Sequence, residues 1–182
     1  NTNGMMPGVA EAIEKADKNA DDFDSQIKAG EMFGRIQNFD KAIYYFERAN
    51  KIKPDDVQTI FLLGTLNFDA AMPKGEGQEY DTKRLAIAQQ WYEKALAKNP
   101  NDANARADYG LTFFLSTPKD VDRSIKEYQT SLAINPNHEM TLQNLAVAYS
   151  EKKDAEAVKE TIARLEKVNP NNKIIQRLKE GN

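Results

Sequence analysis

Four stretches of this chain end in the same way, and that recurrence constrains its fold more than any other feature. They read Ala-Asn-Lys-Ile-Lys-Pro-Asp-Asp (49–56), Ala-Leu-Ala-Lys-Asn-Pro-Asn-Asp (95–102), Ser-Leu-Ala-Ile-Asn-Pro-Asn-His (131–138) and Leu-Glu-Lys-Val-Asn-Pro-Asn-Asn (165–172). Their prolines, Pro54, Pro100, Pro136 and Pro170, lie 46, 36 and 34 residues apart. Each ending has the same physics. Proline removes a backbone donor and blocks continuation of a helix, and the Asn or Asp that follows suits the cap of the next one. Two amphipathic stretches precede each proline; in the first unit they run over 25–35 and 39–51. The second of these places Ala42, Tyr45, Phe46 and Ala49 on one face at i, i+3, i+4 and i+7. The two alanines let a neighbouring helix come close, and Phe46 fills the space between units. Phased helix pairs predict a stack in which each pair contacts its neighbours. An irregular helical bundle is the competing architecture, but it requires no fixed repeat.

The pattern resembles the tetratricopeptide repeat, a helix–turn–helix unit of about 34 residues. The first unit has Gly30 and Phe33 where that family favours a small residue and an aromatic, then Ala42, Phe46, Ala49 and Pro54. The second has Leu63, Gly64, Ala88, Tyr92, Ala95 and Pro100; the third Tyr109, Gly110, Phe113, Tyr128 and Pro136; the fourth Leu142, Leu145, Ala146, Tyr149, Ile162 and Pro170. Ser124 and Ser131 stand where alanine is usual, and Val158 and Leu165 depart similarly, without breaking the period. The resemblance implies an all-α fold: an α-solenoid of stacked units forming a right-handed superhelix, with terminal capping helices. The expected division is an N-terminal tail and capping helix (1–22), four units (23–56, 57–102, 103–138 and 139–171) and a C-terminal capping helix (172–182).

The second unit is 46 residues long, about 12 more than the usual repeat. The surplus falls at 71–81, where Pro73, Gly75 and Gly77 predict a loop and Asp81 predicts the cap of a helix over 82–98. Such a loop projects from the array, either as a contact site or as a tolerated elaboration; Tyr80 is its large contact residue. The third unit carries two extra residues near Ser116–Asp120, with a turn at Pro118. At the start, Val9, Ala10, Ile13 and Ala16 predict a helix over 7–19 that covers the first unit, the alternative being a helix exchanged with another copy. Residues 1–6 are expected to be disordered. At the other end, Ile174, Ile175 and Leu178 share one face of the closing helix.

Composition narrows function by exclusion. Lys and Arg number 25 against 28 Asp and Glu, a net charge of −3, which argues against a nucleic-acid partner. The chain has no Cys and one His, so thiol chemistry and Cys- or multi-His metal sites are ruled out. No cofactor or metal is expected. Asp21, Asp22 and Asp24 lack the glycine and distal glutamate of a calcium loop and read as helix-capping charges. His138, in a predicted turn, and Trp91, on a second helix, read as structural residues. The longest apolar stretches, Ile60–Leu63 and Leu111–Leu115, fall far short of the roughly 20 residues that span a bilayer, so membrane insertion is not expected. The sequence starts with Asn rather than Met, which leaves room for an upstream signal or anchor; cytoplasm and periplasm stay open.

In the family it resembles, the first helices of the units line a concave groove. Transferred position by position, that groove holds Ile27 in the first unit and Phe61, Phe68, Leu111, Phe114, Met140 and Val147 as an apolar strip, with Asn104, Gln143 and Asn144 at its rim. The expected ligand is a peptide or helix of a partner protein with apolar anchors, its backbone held by the amides. The opposing expectation is that the bulky side chains contact one another and leave no cleft. Where tetratricopeptide co-chaperones grip acidic chaperone tails, this chain has Ile27, Glu31, Leu62, Asn104 and Asp108, so such tails are not expected to bind. The resemblance thus implies a non-catalytic binding module. Two alternatives remain: an assembly subunit that self-associates through its ends, as a homodimer or within a membrane-tethered bacterial complex, or an accessory domain of an enzyme.

Overall fold

The structure, a computed structural model, describes residues 7–180, so the expectation for residues 1–6 lies outside the described residues. Every regular element there is a helix: α1 (Pro7–Lys18), α2 (Phe23–Arg35), α3 (Phe39–Ile52), α4 (Val57–Ala70), α5 (Thr82–Lys98), α6 (Ala103–Leu115), α7 (Val121–Ile134), α8 (Glu139–Glu151), α9 (Ala155–Val168) and α10 (Lys173–Glu180). The chain forms two compact units, Asn1–Lys98 and Asn99–Asn182. Within each unit, helices adjacent in sequence pack against one another: α2 on α3 and α4 on α5 in the first, α6 on α7 and α8 on α9 in the second.

Local chemistry explains where the helices begin and end. Asp56, Asp102, Asp120 and Asp154 each accept a hydrogen bond from a backbone N–H three residues on, at 2.8, 3.0, 3.0 and 3.1 Å. Each bond satisfies a donor that the first helical turn leaves without an intrahelical partner. The proline endings close as tight turns, with Asp56 N–H donating to the Lys53 carbonyl at 3.2 Å and His138 N–H to the Asn135 carbonyl at 3.1 Å. The turns inside the α2–α3 and α8–α9 pairs share a different device. Gln37 and Lys153 sit in the left-handed region, at φ 57° and 59°, and reverse the chain just ahead of the caps Asn38 and Asp154.

Packing within a pair rests on a ring laid against a glycine. A Cβ on Gly30 would lie 2.6 Å from the Phe46 ring, one on Gly64 would lie 2.9 Å from Tyr92, and one on Gly110 would lie 2.8 Å from Tyr128. Only glycine lets the helices approach this far. Phe46, Tyr92 and Tyr128 are all buried, and burying the Phe46 ring is worth about 1.5–3 kcal/mol. In the last pair Ala146 and Ile162 are both buried. The face read from the sequence, Ala42, Tyr45, Phe46 and Ala49, is buried throughout.

The first helix docks on its own chain. Ala16 joins the cluster of Ala29, Phe33, Ala42 and Phe46. The Tyr45 hydroxyl donates to Asp17 at 3.1 Å, and Arg48 donates to Asp17 at 3.0 Å and to the Ala16 carbonyl at 3.3 Å. At the other end Ile174, Ile175 and Leu178 of α10 are buried in a cluster with Leu165 and Val158 of α9.

Candidate interaction site

The residues expected to line a groove fall on two pairs of helices, one in each unit. In the first unit Ile27 lies on α2, and Phe61 and Phe68 lie on α4; all three are half-buried. Ile27 packs against the core cluster around Phe33 and Phe46. Phe61 tilts against Tyr92, with ring centroids 5.7 Å apart and planes at 53°. Phe61 is therefore partly structural.

In the second unit α6 and α8 pack against each other. Leu111 and Phe114 of α6 and Val147 of α8 are half-buried against one cluster that includes Leu142, Leu145 and Ala146. Met140 lies on the side of α8 that Gln143, Asn144 and Val147 share, at i, i+3, i+4 and i+7, and is 56% exposed. Of the apolar strip, Met140 is the residue left most open; the others keep part of their surface accessible.

The amides are less free than the sequence suggests. Asn104 Oδ1 is 2.8 Å from His138 Nε2, and His138 Nδ1 pairs with Thr141. His138, read from sequence as lying in a turn, is the N-cap residue of α8 and ties that helix to α6. Asn172 donates to Gln143 Oε1 at 3.2 Å and to Glu139 at 2.7 Å. With Asn169 also donating at 2.6 Å, the two amides hold the Glu139 carboxyl below its ordinary range. Phe114 has a further neighbour that periodicity could not reveal. The Lys119 ammonium stands 4.9 Å from its ring centroid and pairs with Glu151 at 3.1 Å.

The second unit also holds a buried charge. The Glu127 side chain is 4% exposed, and its two oxygens meet Arg106 at 3.0 Å and Arg123 at 2.9 Å. The arrangement is a structural clasp between α6 and α7. Trp91 packs half-buried against the first unit's core, with the Lys94 ammonium 4.2 Å from its ring. Among the described residues no group of three His, Asp or Glu could hold a metal ion, and no helix is long and apolar enough to cross a membrane.

A family model for the tetratricopeptide repeat matches residues 23–56. No curated protein matches the chain in sequence. Among solved structures, the chain is similar to YrrB, described as a TPR protein with an unusual peptide-binding site. The TM-score is 0.76 at 17% identity, over 94% of this chain and 81% of that one. MamA (41 to the end) from Desulfovibrio magneticus RS-1 gives a TM-score of 0.76 at 16% identity, over 91% of this chain and 85% of that one. Another MamA structure gives 0.69 at 17% identity, over 95% and 87%. At such identities the likeness is one of fold. Residues 23–56 thus match the tetratricopeptide repeat, and the chain as a whole shares the fold of YrrB and MamA.

Proposed function

We propose that the chain is a non-catalytic protein-interaction module whose first helices hold an apolar-anchored peptide or helix of a partner. Tetratricopeptide-repeat proteins are generally modules of this kind. The observation that carries the proposal is the open side of α8, where Met140 is 56% exposed beside half-buried Val147 and Asn144. Leu111 and Phe114 of α6 add to the same face. Apolar side chains kept partly in water offer the free energy that an incoming apolar anchor would gain. The division into four units with a bounding helix at each end is part of the same proposal.

A peptide-display selection against the whole chain, followed by calorimetric titration of the chosen peptide, tests this. Met140→Glu and Phe114→Glu should each weaken binding about tenfold or more while helicity stays intact. Undiminished affinity in both variants would refute the reading. A peptide with an acidic chaperone-type C-terminus should not bind; a micromolar titration would overturn that expectation. Self-association through the ends is the second reading, favoured by a cleft of about 410 Å3 lined by Val158, Ile162 and Leu178. Light scattering decides it: a stable dimer supports assembly, and a monomer opposes it.

A further inference from the structure

We propose that the cleft between the α2–α3 turn and the inserted loop after α4 is a second contact surface, which takes a Lys or Arg side chain of a partner protein, flanked by apolar residues, with Asp69 as counter-charge. The cleft has a volume of about 770 Å3, within the range of functional pockets. Ile36 and Phe39 form one wall, and Met72 and Pro73 form the other. Ile36 and Met72 are 45% and 39% exposed, placing two large apolar side chains at its mouth. Without the insertion there would be no second wall. The loop is pinned at its base, where the Asp81 N–H donates to the Ala71 carbonyl at 2.9 Å.

The charges around the cleft are not equivalent. Asp40 is paired with Arg84, which also donates to Asn67 at 3.3 Å. Asp81 accepts from the N–H groups of Lys83 and Arg84, at 3.0 and 3.1 Å, and so caps α5. Lys74 is exposed on the rim, and its ammonium pairs with no described carboxylate. Asp69 differs from all of these. It is half-buried, lines the cleft, and its carboxylate has neither a hydrogen bond nor an ion pair among the described residues. It also sits in the last turn of α4, where the helix macrodipole is already negative. Burial pushes its carboxyl above the ordinary range. Two unfavourable placements of one anion, with no partner among the described residues, are what an arriving cation would relieve. The flanking Ile36 and Met72 would cover the apolar neighbours of that cation.

This surface uses no residue of the α6–α8 face, so the two proposals fail separately. The test is an NMR titration of the 15N-labelled chain with acetyl-Leu-Arg-Leu-amide. Saturating shifts are expected at the amides of 36–40 and 69–74 at millimolar peptide, reversed by added salt. Acetyl-Leu-Glu-Leu-amide should move none of them. Asp69→Asn should cost about tenfold in affinity, whereas Lys74→Gln should leave binding equal or tighter. Circular dichroism of Asp69→Asn should match the parent. If that variant does not fold, the salt reversal and the Arg-against-Glu contrast in the parent chain decide. Four results would overturn the proposal: no saturable shifts, equal response to the Glu peptide, unaltered binding by folded Asp69→Asn, or shifts centred on α6 and α8 instead.

Discussion

Replacing Gly30 with alanine should destabilise the protein, whereas the same change at Gly34, one turn later in α2, should stabilise it. Alanine favours a helix interior over glycine by about 0.5–1 kcal/mol. At Gly34 a new Cβ meets only Leu66 Cδ2, at 3.9 Å, an ordinary van der Waals contact. Gly34 lies in the last turn of its helix, so the gain there is about 0.5 kcal/mol. At Gly30 the new Cβ would fall 2.6 and 2.7 Å from Cδ2 and Cε2 of Phe46. Restoring a normal separation requires a shift of about 1 Å. The ring is 2% exposed and cannot escape into water, so α3 must give way. Overpacking of this kind costs about 1–3 kcal/mol. Subtracting the helical gain leaves a net loss of about 1–2 kcal/mol, and a gap of about 2 kcal/mol between the variants. Urea unfolding followed by circular dichroism resolves a gap of that size. A third variant tests the cause. In a Phe46→Leu background the ring is gone, and Gly30→Ala should lose most of its cost, a coupling of about 1 kcal/mol or more. If Gly30→Ala is as stable as Gly34→Ala, or its cost persists without the ring, the account of pair packing is wrong.

Four other outcomes follow from the same geometry. Glu127→Ala should cost about 3 kcal/mol in urea unfolding, because it strands Arg106 and Arg123 beside a void. Asp102→Ala removes the cap bond to the Ala105 N–H and should cost about 1 kcal/mol by the same measure. Burial, with the Asp17 charge adding to it, raises the Tyr45 phenol to about 12. The neutral phenol is the form the folded state favours, so stability holds below the ordinary phenol value and falls as pH rises from about 10; ultraviolet titration of the parent against Tyr45→Phe checks this. Asp69 is also raised by burial, so its contribution falls as pH rises through the carboxylate range. Asp69→Asn should be the more stable protein at neutral pH and should lose that advantage in acid, as urea unfolding at the two pH values would show.

The fold was legible because its determinants are local and repeat. The proline endings, the Asn or Asp after them, and the stripe through Ala42 and Phe46 are each readable within a few residues; they recur as helix stops, as the caps Asp56 and Asp102, and as a buried face, while after Pro136 the N-cap position falls to His138, whose side chain makes no cap bond. The candidate face was harder to read. The family resemblance places Phe61, Phe114 and Asn104 on first helices but says nothing about what meets them across the chain. Phe61 leans on Tyr92, Asn104 is bonded to His138, and Phe114 lies under Lys119. The cleft beside Asp69 left a fainter trace. The insertion at 71–81 was plain, yet Ile36 and Met72 carry no periodic signal, because each follows the end of a helix.

One helix shows why a surplus apolar stripe carries functional weight. On α8, Leu142, Leu145 and Ala146 form a buried stripe at i, i+3 and i+4, which is enough to seat the helix against its neighbours. Met140 and Val147 belong to a second stripe, alongside Gln143 and Asn144, that the fold leaves half-open or exposed. A solvated helix face can carry mostly charges at no cost to packing, as α9 does with Glu156, Lys159, Glu160 and Lys167 exposed. Val147 packs partly on the core, but folding alone does not require a methionine at 140 on the open side of α8. A chain that needed only to be stable could place charges there, as it does elsewhere. Keeping Met140 in water is a standing loss of hydrophobic free energy, and a partner's apolar anchor is the kind of surface that would recover it.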